Sequence, residues 1–186
     1  MIENKTFKKV NYTKEPLPKD EYVACTFRDC IFSYSDLSSI TFEDCEFFDC
    51  DLSSAKIYDT VFNEVQFKNC KLLGLAFDKA DKFTCMVSFE GCQLNFSSFY
   101  NRTFRNPKFI DCNLQEVDFT QADVSDGNFS NCNFENAIFD QTNIERADFT
   151  TAYNYALNPE QNYIKGAKFS NDGLIGLLQQ YGIVVE

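Results

Sequence analysis

The chain of 186 residues contains no histidine, the side chain most often used as a general base or metal ligand near neutral pH. It also lacks a glycine-rich phosphate loop and a GxSxG motif. No apolar run reaches the roughly 18 residues of a membrane span, and the first residues, MIENKTFKKV, lack the apolar core of a signal peptide. These absences predict a cytoplasmic protein that is not an enzyme and uses no metal or cofactor.

What the sequence does contain is a large apolar residue at nearly every fifth position. A helix has a period of about 3.6 residues and a strand a period of 2, so neither produces this spacing. A fixed repeat indicates a solenoid. The centres of the repeat, interrupted once, are Phe27, Phe32, Leu37, Phe42, Phe47, Leu52, Ile57, Phe62, Phe67, Leu72, Phe77, and then Phe89, Leu94, Phe99, Phe104, Phe109, Leu114, Phe119, Val124, Phe129, Phe134, Phe139, Ile144 and Phe149.

The nine cysteines follow the same spacing. Eight lie two residues before a centre, in a position that otherwise holds mostly small residues, and several recur at intervals of twenty, as in Cys30, Cys50 and Cys70. Twenty residues correspond to four sides of five, so the chain should form four-sided coils stacked about 4.8 Å apart. We expect buried, unpaired thiols, because their number is odd, no CxxC cluster occurs, and parallel stacked side chains do not favour disulfides.

Units such as Cys25-Thr26-Phe27-Arg28-Asp29 and Ala147-Asp148-Phe149-Thr150-Thr151 resemble the pentapeptide repeat family, whose consensus is A(D/N)LXX. The resemblance covers residues 23–169. It implies an all-β solenoid, a right-handed quadrilateral β-helix. We therefore predict three segments: an N-terminal cap or docked arm over 1–24, the β-helix over 25–169, and a short C-terminal helix followed by a short strand over 170–186.

Two interruptions are visible within the repeat. The step from Phe77 to Phe89 contains two extra residues, so a loop or a small bulge lies within 78–88, and a binding loop there would present Lys79, Asp81, Lys82 and Met86. An excursion over 151–163 precedes Ile164 and Phe169, which return to the register.

Arg102 and Pro107 occupy positions that should point inward. A lone buried arginine is costly, so we expect Arg102 to reach outward or to pair with a carboxylate. We expect irregular structure near 100–108. An exposed aromatic and basic spot formed by Tyr100, Arg102 and Arg105 is the alternative.

The tail predicts a helix that begins near Ser170, Asn171 or Asp172 and ends at Gly182. Its apolar stripe and the residues after it exceed what covering one solenoid end requires, so we favour a two-fold homodimer over a monomeric cap. The candidate dimer residues are Leu174, Ile175, Leu177, Leu178, Tyr181, Ile183, Val184 and Val185.

This tail, from Gly166-Ala167-Lys168-Phe169 to Tyr181-Gly182-Ile183-Val184-Val185, resembles the Qnr and MfpA branch of the family. The resemblance implies proteins that dimerise tail to tail, imitate DNA, bind DNA gyrase and protect it from quinolones. Qnr proteins of Gram-negative hosts carry two longer loops, whereas this chain shows only the two-residue interruption.

Charge is concentrated towards the C-terminal end. The formal net charge is −11, and residues 111–150 alone contribute −8. Such a field repels free nucleic acid and favours a basic partner, although solubility alone could also account for it. Together with this charge, the resemblance to the Qnr and MfpA branch implies a DNA mimic that binds DNA gyrase or topoisomerase IV, and the alternative is a non-catalytic interaction scaffold. The candidate contact residues are Asp111, Glu116, Asp118, Asp123, Asp126, Glu135, Asp140, Glu145 and Asp148.

Overall fold

The computed structural model describes residues 1–104 and 106–184 of the chain. It is a right-handed, four-sided β-solenoid of about 8 turns with one short C-terminal helix, which confirms the predicted fold. Each coil pairs in parallel with the next, so Ile2 lies opposite Tyr22 and Phe27 opposite Phe47. The strands are β1 (Ile2–Glu3), β2 (Thr6–Lys8), β3 (Glu21–Val23), β4 (Thr26–Arg28), β5 (Thr41–Glu43), β6 (Glu46–Phe48), β7 (Val61–Lys68), β8 (Cys85–Glu90), β9 (Lys108–Ile110), β10 (Asp148–Phe149) and β11 (Lys168–Phe169).

The strands are short because the chain turns a corner after almost every repeat. The residue two positions after a centre has a positive φ, as at Asp29 (53°) and Asn131 (56°). Asn and Asp tolerate this left-handed conformation better than most residues do. Asn and Asp are accordingly frequent at the corners, although Ala24, Tyr34 and Phe96 adopt the same conformation.

The repeat centres form four columns inside the solenoid, and each column lies on one of the four faces. Face 1 begins with Ile2 and Tyr22, face 2 with Phe7 and Phe27, face 3 with Tyr12 and Phe32, and face 4 with Leu17 and Leu37. Face 2 carries an unbroken phenylalanine column whose successive ring centroids are 4.7 to 5.5 Å apart. This column consists of Phe7, Phe27, Phe47, Phe67, Phe89, Phe109, Phe129, Phe149 and Phe169.

The nine cysteines are all free and buried. Most of these thiols bridge two coils: Cys50 Sγ, for example, donates to the carbonyl oxygens of Phe27 (3.4 Å) and Phe48 (3.2 Å). Thr60 and Thr142 make the equivalent contact with a hydroxyl group, to Leu37 (2.9 Å) and Phe119 (2.8 Å). The small inward residue thus satisfies a main-chain carbonyl of the neighbouring coil.

Burial of the thiols predicts a loss of stability at alkaline pH. Burial raises the pKa of Cys45 and of Cys85 to about 11. The unfolded chain loses these protons at a lower pH than the folded chain does. The thiols therefore contribute their full stabilisation below about pH 9. Between about pH 9 and about pH 11 the free energy of unfolding falls by about 1.4 kcal/mol per pH unit for each thiol. Urea unfolding at pH 7.5 and pH 10.5 measures this, and equal stability at the two pH values would contradict it. Cys45→Ala is the control and should reduce the difference.

The N-terminal segment differs from the prediction. Residues 1–24 were expected to lack the repeat, but Ile2, Phe7, Tyr12 and Leu17 continue the five-residue series backwards from Tyr22. Strand β1 pairs with β3, and β2 pairs with β4, in the same register of twenty residues as the rest. The predicted cap is therefore wrong, because this segment forms the first coil of the solenoid itself.

The excursion over 151–163 keeps the length of one coil. Phe149 lies opposite Phe169 and Asn143 opposite Tyr163, so the register continues as predicted. Tyr155 and Leu157 turn inward from this segment and are 3% exposed, and the Leu157 N–H donates to the carbonyl of Gly176 (3.1 Å). The excursion thus packs against the C-terminal helix.

Candidate interaction surface

The nine candidate carboxylates lie on two consecutive turns and point in different directions. Asp148 is on face 2, Asp123 on face 1, Asp118 on face 4 and Glu135 on face 3, as the pairing register shows. Each of the nine side chains is exposed or half-buried. The structure therefore places them around the whole circumference of the rod and does not bring them into one patch.

Few of these charges are neutralised by cations. Arg146 donates two hydrogen bonds of 2.7 Å to the Asp126 carboxylate, which lowers the pKa of Asp126, and it also lies 3.4 Å from Glu145. Lys168 lies 3.9 Å from Asp148, whose pKa is lowered chiefly by its hydrogen bond from Thr150 and secondarily by Lys168. Within residues 1–104 and 106–184, the other six carboxylates make no ion pair: Asp111, Glu116, Asp118, Asp123, Glu135 and Asp140.

The two-residue interruption forms a loop that projects from the corner between faces 4 and 1. A short 3-10 helix at Phe77–Lys79 leads into it, and β8 follows it. The Asp81 carboxylate accepts hydrogen bonds from the N–H groups of Phe83 (3.0 Å) and Thr84 (2.9 Å), which fixes the turn. Phe83 at its tip is 96% exposed. The predicted loop residues do not include Phe83, although its place inside the interruption could have indicated it.

The other loop candidates have separate roles. Lys79 pairs with Asp78 at 2.8 Å, which raises the pKa of Lys79, and Lys82 is exposed. Met86 lies outside the loop, in β8, and is 48% exposed. Beside the loop is a groove of about 630 Å³, lined on face 4 by Tyr58 and Tyr100.

Arg102 lies beneath this loop, and its buried position is the largest departure from the sequence prediction at the site. Its side chain neither reaches outward nor pairs with a carboxylate, since the residue is 5% exposed and its guanidinium donates to the main-chain carbonyls of Ala80 and Asp81. The inserted residues interrupt the regular ladder here, and the arginine satisfies the carbonyls. Tyr100 is 43% exposed, and Arg105 lies outside the described residues, so no aromatic and basic spot includes Arg102.

Replacing Arg102 by methionine should loosen the loop while keeping the packing of the aliphatic stem. Hydrogen bonds from a charged donor contribute about 1.5–3 kcal/mol, so local opening should become at least about tenfold more frequent. Limited trypsin digestion followed by mass spectrometry measures cleavage after Lys82. Lys108→Met, an exposed substitution in β9, is the control. Equal cleavage rates in the parent chain and Arg102→Met would contradict this role.

The C-terminal helix is shorter than the apolar pattern suggests. The four-residue helix α1 (Ile175–Leu178) is flanked by 3-10 turns at Asp172–Leu174 and Gln179–Tyr181 and ends at Gly182, whose φ is 62°. Ser170 Oγ accepts a hydrogen bond from the Gly173 N–H at 3.0 Å, as expected of a residue that begins a helix. Gly176 packs directly on the main chain of Tyr155, where a Cβ atom would clash.

Most candidate dimer residues are exposed in the single chain. Leu177 packs partly on the core and Leu178 is half-buried. Ile183 and Val184 do not form the predicted strand, and Val185 lies outside the described residues. The others lie on the surface at exposed fractions of 40 to 84%: Leu174, Ile175, Tyr181, Ile183 and Val184.

Two family models match adjacent parts of the chain. Residues 45–81 match a family model described as pentapeptide repeats (8 copies), and residues 82–152 match one described as a pentapeptide repeat region. The chain belongs to the pentapeptide repeat family. The coil of twenty residues and the inward pair of one large and one small residue are thus the fold of this family.

Two solved pentapeptide repeat structures are similar to this chain over most of its length. Full-length QnrB1, a plasmid-mediated fluoroquinolone resistance protein, is 20% identical, with 97% of this chain and 99% of QnrB1 covered and a TM-score of 0.51. HetL, involved in heterocyst differentiation regulation in the cyanobacterium Nostoc sp. strain PCC 7120, is 13% identical, with 92% and 90% covered and a TM-score of 0.41. The likeness to QnrB1 shows a shared fold. No curated protein matches this chain.

Two structural features are absent from the described part of the chain. None of its helices is long and apolar enough to cross a lipid bilayer. It holds no group of three or more Cys, Asp or Glu side chains arranged to bind a metal ion.

Proposed function

We propose that this pentapeptide repeat protein imitates DNA and binds a type II topoisomerase, DNA gyrase or topoisomerase IV. The observation that carries the proposal is the charge density of the acidic turns. Residues 111–150 have a net charge of −8 and form two turns of twenty residues, which span about 10 Å. That is one net negative charge per about 1.2 Å, close to the value of about 1.7 Å for duplex DNA.

The arrangement of the charges also supports this proposal. The carboxylates surround the rod, as phosphates surround a duplex, and six of the nine have no cation beside them in the described part of the chain. A DNA-binding surface of the topoisomerase that contacts the duplex from several sides could therefore contact this rod in the same way. The exposed loop at Phe83, with Lys79 and Lys82, would then give a second contact on the same enzyme.

A homodimer would bring two acidic segments into one rod. Each protomer has about 8 turns, so two protomers joined end to end measure about 80 Å, more than two turns of duplex DNA at about 34 Å each. We propose the exposed apolar residues of the tail as the contact, because they lie at the C-terminal end of the solenoid, which is the end nearest the acidic turns. They are Leu174, Ile175, Tyr181, Ile183 and Val184.

Charge placed in the tail should separate this dimer. Ile183→Glu with Val184→Glu would bury two carboxylates per protomer without partners, so the dimer should dissociate at least about a hundredfold more readily. Sedimentation velocity measures the molar mass of the parent chain and the variant. Tyr34→Glu, an exposed substitution at the corner that follows face 3, is the control. A parent chain that sediments as a monomer would contradict the proposed dimer.

The affinity of the purified protein for purified gyrase tests the proposed function directly. An interaction dominated by surface charges weakens as salt screens them. We expect the dissociation constant to rise at least about tenfold between 50 and 200 mM salt. An affinity that does not change with salt would contradict DNA mimicry and would favour a scaffold with another partner. Nine free thiols support a reducing compartment, and we propose the cytoplasm.

A further inference from the structure

The two ends of the solenoid differ in how the strand edges are covered. The C-terminal end carries α1 and the excursion that packs on it. At the N-terminal end, β1 and β2 are the outermost strands of their sheet, and each pairs with one neighbour in the described part of the chain. An outermost strand offers main-chain donors and acceptors to another strand.

The main-chain groups of β2 that point away from the solenoid can be assigned by comparison with β4, the equivalent strand of the second coil. Thr26 N–H donates to the Lys5 carbonyl (2.9 Å), and the Arg28 carbonyl accepts from Lys9 N–H (2.9 Å). Thr6 and Lys8 are the register partners of Thr26 and Arg28 one coil earlier. The Thr6 N–H and the Lys8 carbonyl therefore point away from the solenoid, ready to pair with one further strand.

The phenylalanine column is also open at this end. Phe7 stacks on Phe27 on one side, with ring centroids 4.9 Å apart, and is only half-buried, whereas Phe27 is fully buried. A further strand in register would place its central side chain over the free face of the Phe7 ring. A large apolar side chain at that position would extend the column by one residue.

The charge beside β2 is positive, whereas the molecule as a whole is negative. Lys5, Lys8 and Lys9 are exposed, make no ion pair in the described part of the chain, and have Arg28 directly behind Lys8. The side of β1 is acidic instead, with Glu3, Asp20 and Glu21. Lysines on an edge strand repel a second copy of the same edge and attract carboxylates.

We propose that β2 binds an extended acidic segment of another protein, which adds to the solenoid as one more parallel strand. The segment carries a large apolar residue over Phe7, followed by two carboxylates beside Lys8 and Lys9. Main-chain pairing would give affinity, and the side-chain positions would give specificity. This site is at the opposite end from the acidic turns and does not rest on the proposed function.

The test is a titration of the full chain, labelled with nitrogen-15, with an acetylated seven-residue peptide that has phenylalanine at its centre followed by two glutamates. We expect the Thr6 amide signal to shift and its hydrogen exchange to slow by at least about tenfold at saturation, while the Thr26 amide, already paired, stays unchanged. A matched peptide with two lysines in place of the glutamates should bind at least about tenfold more weakly.

Reversing the charges beside β2 gives a second test of the same proposal. The variant Lys8→Glu with Lys9→Glu, both exposed, should prefer the lysine peptide. Three results would each overturn the proposal: no response at Thr6, equal binding of both peptides by the parent chain, or the same Thr6 shift on raising the protein concentration without peptide. The last result would assign the edge to a second copy of this chain.

Discussion

Replacing Phe109 by alanine is expected to lower the free energy of unfolding by about 3–5 kcal/mol. Phe109 has no exposed surface, and its ring lies between Phe89 (4.9 Å) and Phe129 (5.3 Å) in the phenylalanine column. Phe99 and Phe119 on face 4 form T-shaped pairs with it, with ring centroids 5.6 and 6.2 Å away. Because hydrogen bonds to both neighbouring coils hold the main chain in place, the cavity cannot collapse. Urea unfolding followed by circular dichroism measures the loss.

The matched control is Phe83→Ala, the same substitution at a ring that is 96% exposed. It should change the free energy of unfolding by less than about 0.5 kcal/mol. A loss of equal size at Phe83 and Phe109 would mean that the column contributes no more than a surface ring, and it would contradict the account of the core.

Reversing three charges in the acidic turns is expected to weaken gyrase binding by about 30-fold, or about 2 kcal/mol. The variant combines Glu116→Lys, Glu135→Lys and Asp140→Lys, three exposed residues without ion pairs in the part of the chain that the structure describes. Each reversal adds two positive charges, so the net charge of residues 111–150 falls in magnitude from −8 to −2. Titration calorimetry or surface plasmon resonance with purified gyrase measures the change.

The control carries three reversals with the same change in total charge in the N-terminal half: Glu43→Lys, Asp49→Lys and Glu64→Lys. These side chains are also exposed. If the acidic turns form the contact, the control should lose no more than about threefold, since more distant charges are screened. Equal losses in both variants would show that only the total charge matters.

The fold could be read from the sequence because the period of five is strict where coils lie on both sides. The first coil was missed because the positions two residues before its centres hold Lys5, Val10, Glu15 and Asp20 in place of Cys or Ala. These side chains need not be small, since Lys5, Glu15 and Asp20 are exposed and Val10 is half-buried. The series Ile2, Phe7, Tyr12, Leu17 and Tyr22 was nevertheless present, and counting backwards from Phe27 would have found it.

The loop was predicted from the two extra residues, but the partners of Arg102 were not. A sequence shows that an arginine falls on an inward position. It does not show that the interruption leaves the carbonyls of Ala80 and Asp81 where the guanidinium can reach them. The acidic residues are an intermediate case. Their positions within the repeat of twenty already imply different faces, and the structure shows in addition which carboxylates have cation partners, such as Asp126 with Arg146.

The most direct test of DNA mimicry is the amount of fluoroquinolone-stabilised cleavage complex that gyrase forms as this protein is titrated in. If the protein occupies the surface that binds DNA, the linearised DNA should decrease as its concentration rises, and the triple variant Glu116→Lys, Glu135→Lys and Asp140→Lys should need about 30-fold more protein for the same effect. A level of cleaved DNA that stays constant at every protein concentration, with supercoiling activity also unchanged, would contradict the proposal.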